Sequence, residues 1–583
     1  MVSSPSASPA ITVKEIDLSG VVPNVQSTTG AFVGNFRWGP VRERTLVDTE
    51  ATLAETFGNP NSTVAVDFIS ASQFLTYSGS MFVVREATAA AKNANSNSSS
   101  LKEVIQIRNK DHFDSLTFGM DSADNQVGRW IAKWPGALGN SLQVSMISPN
   151  GTFSSWTYKD EFDGAPGTSQ WASDRSGSND EVHVVVVDQD GLISGTPGTI
   201  LERFAYVSVA SDARQTDGTD NYLPNVINNG SSYIWFGSFE EDADSNGISE
   251  VSIFTNAGTA AAGVTFNASA TAVETVSLTG GIDSGTLTTG EYNSGFTLFT
   301  DPDIVEVDFM ICPGMANATD QRTVVNHVSG LAKNQRKDCV VVTSPDRAAV
   351  VNNATPVTSS VTTAGGFTAT SYLVVDNNYL KVYDKYNDAY IFIPAASTTA
   401  GVMASTDLSA AAWFSPAGQR RGQYFGVASL AYTPTKAERD TLYKAGINPV
   451  VNIPGQGVLL FGDKTFLGRP SAFDRINVRR LFLVVERAIS RAAKNVMFEF
   501  NDEFTRAEFV NVVEPFLREI QGRRGITDFR VVCDETNNTG AVIDRNEFIA
   551  NIFIKPARSI NFVTLNFVAV RTGVDFEEVV GAV

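Results

Sequence analysis

The sequence predicts a multidomain protein of mixed α/β and α+β class that carries a β-rich insertion, and three observations lead there. The chain has 583 residues, more than a single hydrophobic core organises. From Leu101 to about Thr300 it runs in short Val- and Thr-rich stretches broken by Gly, Asn, Asp and Ser turns, the pattern of strands and hairpins. Beyond Ile304 the period changes to strand, helix, strand, which implies a parallel pair with a right-handed crossover.

Taken in order, Ala10–Ile16 (AITVKEI) has strand composition and forms a candidate N-terminal arm with Ile11, Val13 and Ile16. GAFVG and FRWGPV follow as short apolar runs punctuated by Gly and Pro, and Met81–Arg85 is a further strand candidate. Between them Asp67–Tyr77 has helical spacing. Ala87–Ser100, rich in Ala, Asn and Ser, reads as a linker. In the insertion, His183–Val187 predicts a strand and Asp188–Gly191 the turn after it. The α/β portion resumes with IVEVDFMIC from Ile304, a helix over Asp320–Lys333 and a strand over Cys339–Val342. Ala437–Ala445 predicts a helix closed by Gly446, and Gly455–Phe461 a strand. Ile476–Val496 has the strongest helical pattern, and Thr505–Ile520 a second one expected to break or kink near Pro515. Strands are expected at Phe529–Cys533 and Phe548–Ile554.

These elements divide the chain into an N-terminal linking arm (1–24), the first part of a central α/β domain (25–95) and an inserted β-rich outer region of two domains (96–300). The second part of the central domain (301–462), an inner α+β domain (463–558) and a C-terminal linking arm (559–583) complete it.

Composition narrows the function. Hydrophobic residues are 43% and charged residues 18%, a globular balance. The net charge of −19 argues against a nucleic-acid partner, which needs clustered Lys and Arg. From Asp463 onward 17 Lys and Arg face 17 Asp and Glu, so the whole excess lies in residues 1–462. MVSSPSASPA has neither a basic nor an apolar region, so neither a secretion signal nor a membrane anchor is expected. Cys312, Cys339 and Cys533 are odd in number and each lies in an apolar run, which predicts buried thiols of a reducing compartment.

Catalytic constellations are missing. His112, His183 and His327 have no metal-ligand spacing, and His183 opens an apolar strand, as a structural histidine would. Gly457–Thr465 approaches a phosphate loop, but Asp463 stands where Gly must precede Lys464. The calcium-like start at Asp188 lacks its remaining ligands. No catalytic residue, metal ligand or cofactor is assigned, and a nucleotide hydrolase at Gly457–Thr465 is the weakest reading.

One cation cluster stands out. Between Arg475 and Lys494 six cations face one anion, Glu486. Spacings of seven, four and three bring Arg480, Arg487, Arg491 and Lys494 to one helical stripe. Such a stripe is either a solvated helix face or a surface for an acidic protein partner.

The chain's last residues, SINFVTLNFVAVRTGVDFEEVVGAV, have strand composition and an unpaired backbone ladder to satisfy. About two dozen extended residues reach roughly 80 Å, enough to enter a neighbouring subunit. Val563, Leu565 and Phe567 would line one face of that strand, and Phe562, Val568 and Val570 part of the other. Both ends therefore predict a polymer joined by strand exchange.

Nine strings occur in one order: GAFVGNFRWGPV (30–41), KWPGALGNSLQV (133–144), VVDQDGLISGTPGTILERF (186–204), LTGGIDSG (278–285), RKDCVVVTSP (336–345), VYDKYND (382–388), WFSPAGQRRG (413–422), FDRINVRRLF (473–482) and INFVTLNFVAVRTGVDFEE (560–578). Together they make the chain resemble the tail sheath proteins of contractile-tailed, myovirus-type bacteriophages, with Ser154–Asp180 departing from the pattern.

The resemblance implies a virion protein, assembled in the host cytoplasm, that forms homohexameric rings stacked in a helix around a tail tube protein. Baseplate and tail terminator proteins would hold its ends, and contraction would drive the tube through the host envelope. It also implies an inner α+β domain whose sheet is completed by the terminal arms of neighbouring subunits, with the stripe Arg480, Arg487, Arg491 and Lys494 facing the tube. A sheath of a phage-derived contractile injection particle is the alternative within the same mechanics, and a secreted surface-layer or adhesin polymer the alternative from another class.

Overall fold

The computed structural model describes residues 28–96, 105–118, 127–149, 151–239, 254–268 and 273–561. They fall into two compact units. The larger holds the described residues between 28 and 412 together with Pro416–Arg487, and the smaller holds Trp413–Ser415 and the described residues from Ala488 onward.

The larger unit is built on a seven-stranded sheet assembled from two distant parts of the chain. The first part supplies β1 (Gly30–Asn35), β2 (Arg44–Val47) and β3 (Met81–Glu86), with helices α1 (Glu50–Phe57) and α2 (Ala65–Leu75) between the last two. Within the insertion a separate antiparallel sheet forms from β4 (Leu142–Ile147), β5 (Glu181–Asp188), β6 (Thr199–Ser208) and β7 (Val273–Ser277), in the order β7-β4-β5-β6. The chain returns through α3 (Thr289–Thr297), β8 (Phe309–Ile311), α4 (Ala318–Leu331), β9 (Val340–Thr343), α5 (Pro356–Ala364) and β10 (Leu373–Asp376). After the hairpin β11 (Tyr379–Asp384) and β12 (Ala389–Pro394) come α6 (Ala396–Ser409), α7 (Lys436–Lys444) and β13 (Ile447–Asn448). The central sheet runs β13-β10-β9-β8-β1-β3-β2, parallel throughout except for the β2–β3 pair.

Period two along these strands sends alternate residues to opposite faces. Phe32, Val83, Phe309, Ile311, Val340 and Val374 join one core with Phe57 of α1, Phe68 and Phe74 of α2 and Met403 of α6. Their neighbours Ala31, Val33, Val84, Met310, Val341 and Leu373 join the other core, with Tyr292 and Phe296 of α3 and Val324, Val325 and Val328 of α4. Both faces of a parallel sheet are thus covered by helices, as its near-continuous apolar strands require. Gly295 permits the close seat of α3, since a Cβ there would lie 2.5 Å from Val33 Cγ1.

Local chemistry sets the helix ends. Asn317 accepts from the Thr319 and Asp320 amides at the start of α4, and Thr435 and Glu438 form a reciprocal cap on α7. Gly446 closes α7 at φ +81°, a left-handed position that suits glycine.

The stretch Ala87–Ser100, expected as a linker, is ordered over its described residues. Ala91, Asn93, Ala94 and Asn95 are buried. Lys92 and Asn95 donate backbone bonds to Ile282 and Thr279, and the Asn93 amide donates to the Ala132 carbonyl and accepts from the Ile107 amide. Small side chains let three backbones approach, and Asn supplies the polar partners a buried loop needs. Composition alone does not separate this from a solvated tether.

Arg85, at the end of β3, is fully buried and joins the central sheet to the start of the insertion. Its guanidinium donates to the carbonyls of Phe36 (2.9 Å), Gly39 (2.7 Å) and Pro135 (2.6 Å). In the insertion, His183 is buried as expected of a structural histidine, with Nε2 on the Gly164 carbonyl at 2.9 Å and Nδ1 accepting from the Tyr206 amide at 3.0 Å. Asp188 accepts from the Ile193 and Ser194 amides, so the acidic turn serves its own backbone. The three cysteines are buried and unbridged, and burial raises the Cys312 and Cys339 thiols.

Candidate assembly elements

The basic segment folds as helix α8 (Ile476–Ala493), followed by a short 3-10 turn at Lys494–Val496. Its cations divide by environment. Arg480 is 2% exposed; it donates to the Met403 carbonyl and lies 5.0 Å from the Phe309 ring centre. Arg487 donates to Asp308 at 2.5 Å and to the Asp338 carbonyl at 2.9 Å. Arg479 donates to Ser371 Oγ at 2.6 Å between the rings of Tyr372 and Phe473, and Arg475 donates to Asp463 at 2.9 Å. These four guanidiniums are held inside the chain's own fold. Of the predicted stripe, Arg491 is half-buried and Lys494 is exposed.

The reason lies in what a helical wheel records. Spacing gives the direction of a side chain but not its partner, and a guanidinium can be buried when carbonyls and carboxylates take its five donors. Sequence reading missed those partners. Asp308, beside Phe309–Cys312 in the run IVEVDFMIC, was the available clue, because a buried carboxylate needs a cation or several donors.

The phosphate-loop candidate has other work. Gly457–Leu460 is a strand paired with Val450–Ile453. Lys464 Nζ donates to the Tyr443 carbonyl at 2.8 Å and sits 4.1 Å from that ring centre. Asp463 accepts from Arg475, so lysine and carboxylate are both engaged by neighbouring side chains or backbone.

The smaller unit contains α9 (Glu503–Gly522), β14 (Ile526–Val532) and β15 (Asn551–Pro556). Asp502 caps α9, and Phe509, Val513, Leu517 and Ile520 form its buried stripe at helical spacing. The helix packs on β14. It runs unbroken through Pro515, so of the break or kink expected there the break is absent. Pro515 and Asn511 are exposed, so the Asn511 carbonyl that loses its partner can be hydrated. Trp413 closes the C-terminal end of α9, donating to the Arg523 carbonyl at 3.2 Å.

β14 and β15 pair antiparallel as a two-stranded sheet. Asn538 is buried at the loop between them, donating to the Ile549 carbonyl and accepting from the Ile549 amide at 2.8 Å each. Among the described residues neither outer edge of this sheet meets another strand. The predicted exchange residues Ile11, Val13, Ile16, Phe562, Val563, Leu565, Phe567, Val568 and Val570 lie outside the described residues.

Comparison with known proteins matches this architecture to one family. Residues 285–466 match the phage tail sheath protein central domain and residues 469–569 the phage tail sheath C-terminal domain. The chain is 32% identical to the tail sheath protein of Vibrio phage KVP40, over 98% of this chain and 99% of that protein. It is likewise 32% identical to the tail sheath protein of Enterobacteria phage T4, with 98% and 99% covered. The crystal structure of a sheath tail protein from Listeria innocua superposes with a TM-score of 0.54 at 13% identity, covering 92% of this chain and 93% of that one. One from Desulfitobacterium hafniense gives 0.51 at 13% identity, with 94% and 100% covered, and shares the fold. At about a third identity over nearly its whole length, the chain belongs to the phage tail sheath proteins.

Proposed function

We propose that the chain is a non-enzymatic structural and mechanical subunit of a contractile virion tail. It polymerises as stacked homohexameric rings around a tail tube protein, between a baseplate and a terminator, and contracts to drive the tube through the host envelope. Assembly takes place in the host cytoplasm. Near-complete coverage of two phage sheath proteins favours a virion over an injection particle or a secreted polymer.

The observation that carries the assembly mode is the two-stranded sheet β14–β15, whose outer edges are open among the described residues. Each edge offers a row of amides and carbonyls. The N-terminal arm with Ile11, Val13 and Ile16, and the C-terminal arm with Phe562, Val563, Leu565, Phe567, Val568 and Val570, supply strands to fill them in neighbouring copies. Strand addition gives several hydrogen bonds of about 0.5–1.5 kcal/mol each, plus burial of alternate side chains. The subunits stay tethered while the extended packing gives way to a contracted packing of lower free energy.

The end of α8 that carries the half-buried Arg491, with the exposed Lys494 after it, is the part of the predicted stripe assigned to the tube contact. Exposed ion pairs contribute about 0.2–1 kcal/mol each, so the tube is released before the strand tethers part.

Deletion of 559–583 tests the reading. A folded, soluble monomer that forms no tubes by electron microscopy is the expected result; ordinary tubes from the truncated chain would end the strand-exchange mechanism.

A further inference from the structure

The turn between α8 and α9, together with the first turn of α9, places large apolar side chains in water. Phe498 is 101% exposed, Phe500 84%, Phe504 77% and Met497 59%. Three phenyl rings of roughly 200 Å² each make this segment as apolar as the largest patches that soluble monomers show. Phe498 also sits at φ +74°, a left-handed backbone region that a bulky residue rarely adopts and that tends to mark functional segments.

The turn is nevertheless pinned. The Asn501 amide donates to the Glu547 carbonyl at 2.8 Å, and Arg506 donates to Asn501 Oδ1 at 2.9 Å. Asp502 accepts from the Thr505 amide at 2.8 Å, and Phe509 meets Phe548 edge to face at 5.4 Å. Glu547 lies four residues before Asn551, where β15 begins. The rings are therefore tied to the approach to β15, the strand whose outer edge is open among the described residues.

Resting on the strand-exchange reading, we propose that Met497, Phe498, Phe500 and Phe504 form an apolar clasp for the C-terminal arm of a second copy, receiving Phe562–Val570 as that arm runs beside β15. The occupant follows from three observations. This copy's own chain leaves β15 at Pro556, the end opposite the clasp, and Ile560 beyond it is 84% exposed. The 22 residues 562–583 reach roughly 70 Å when extended, far past a six-residue strand. Arg571 follows the apolar run directly, and Glu499, Asp502 and Glu503 alternate with the rings of the clasp. Apolar and charged groups are thus matched in one segment.

Full-length copies carrying F500C are mixed with full-length copies carrying F567C and oxidised during polymerisation, with F553C on β15 as a second acceptor. A disulfide-linked F500C–F567C pair of copies is expected. Linkage of F567C to F553C without any to F500C overturns the clasp while strand exchange stands; linkage to neither removes both. A disulfide within single dilute copies carrying both F500C and F567C, or capture of F500C by the tube protein instead of F567C, also overturns the proposal. As a second measurement, F498S/F500S/F504S should raise the concentration at which polymer forms at least 10-fold with an unchanged or higher monomer melting temperature. Polymerisation at the wild-type concentration would sink the clasp.

Discussion

Arg487 and Asp308 form an ion pair at 2.5 Å, 179 residues apart in the chain, and the second Asp308 oxygen accepts from the Thr29 amide at 2.9 Å. One carboxylate thereby ties the last residue of the larger unit's share of α8 to the entry of β1. With side chains 10% and 7% exposed, the pair is poorly hydrated. Removing one partner leaves an uncompensated buried charge, which typically costs about 3–5 kcal/mol. R487M and D308L should each lower stability by roughly that amount in urea unfolding, and R487M/D308L should lose less than the sum. Additive losses would show that the pair is not coupled.

Arg85 illustrates a second kind of buried cation, held by carbonyls and not by a carboxylate. Burial pulls its guanidinium down to about 9, Asp283 opposing, so it stays charged at neutral pH. Lysine in its place keeps the charge but cannot span the Phe36, Gly39 and Pro135 carbonyls together. Each buried acceptor left unpaired costs about 1–3 kcal/mol. R85K should therefore destabilise the chain by about 2–4 kcal/mol in chemical denaturation, and R85M by more. A loss under about 0.5 kcal/mol for R85K would mean that charge alone matters there.

Asp376, at the end of β10, makes stability depend on pH. Burial raises its carboxyl to about 7, against hydrogen bonds from Ser344, the Asn378 amide and Thr399. Unfolding returns it to an ordinary value near 3.9. Between those values the folded state holds the extra proton, so this group's stabilisation is full below about pH 4 and is lost as pH rises through 7. Asn cannot ionise. From pH 5 to pH 8 the wild-type melting temperature should fall further than that of D376N, by an amount worth a few kcal/mol at most. Parallel pH profiles for the two proteins would remove the assignment.

The same contrast between direction and partner explains how much of the molecule was legible beforehand. Met81–Arg85 and His183–Val187 read as short apolar strands centred on consecutive valines, and the structure has strands at Met81–Glu86 and Glu181–Asp188. The strand-helix-strand reading after Ile304 is present as β8, α4 and β9, with β8 and β9 parallel. Periodicity carries such information because burial repeats with the backbone geometry. The linker reading of Ala87–Ser100 and the break expected at Pro515 fail for the converse reason. The first depends on which backbones lie around it, and the second on whether one carbonyl faces water, and neither leaves a periodic trace. Arg480 and Arg487 belong with them: the wheel gave their face, while Met403 and Asp308, distant in sequence, decide that they are buried. The exposed rings at Met497–Phe504 have sequence traces, apolar residues interleaved with Asn, Asp and Glu between two helices, but their exposure required the fold.

The tube contact proposed for Arg491 and Lys494 can be tested without touching the Arg487–Asp308 pair. Reversing Arg487 would perturb the Asp308 pair, so its effect on assembly would report on folding. Arg491 is half-buried and Lys494 exposed, at the C-terminal end of a helix, where their charge also complements the helix dipole. R491E/K494E should therefore cost no more than about 2 kcal/mol in stability, from two partly screened sites. Against an acidic tube surface each reversal replaces attraction by repulsion. Co-sedimentation with the tube protein should fall several-fold at 50 mM salt and much less at 500 mM, because exposed charges are screened within about a Debye length. Under the strand exchange proposed above, sheath-to-sheath polymerisation should change little. If polymerisation and tube binding fell together, or if tube binding were indifferent to both the variant and the salt, the two cations would have no part in holding the tube.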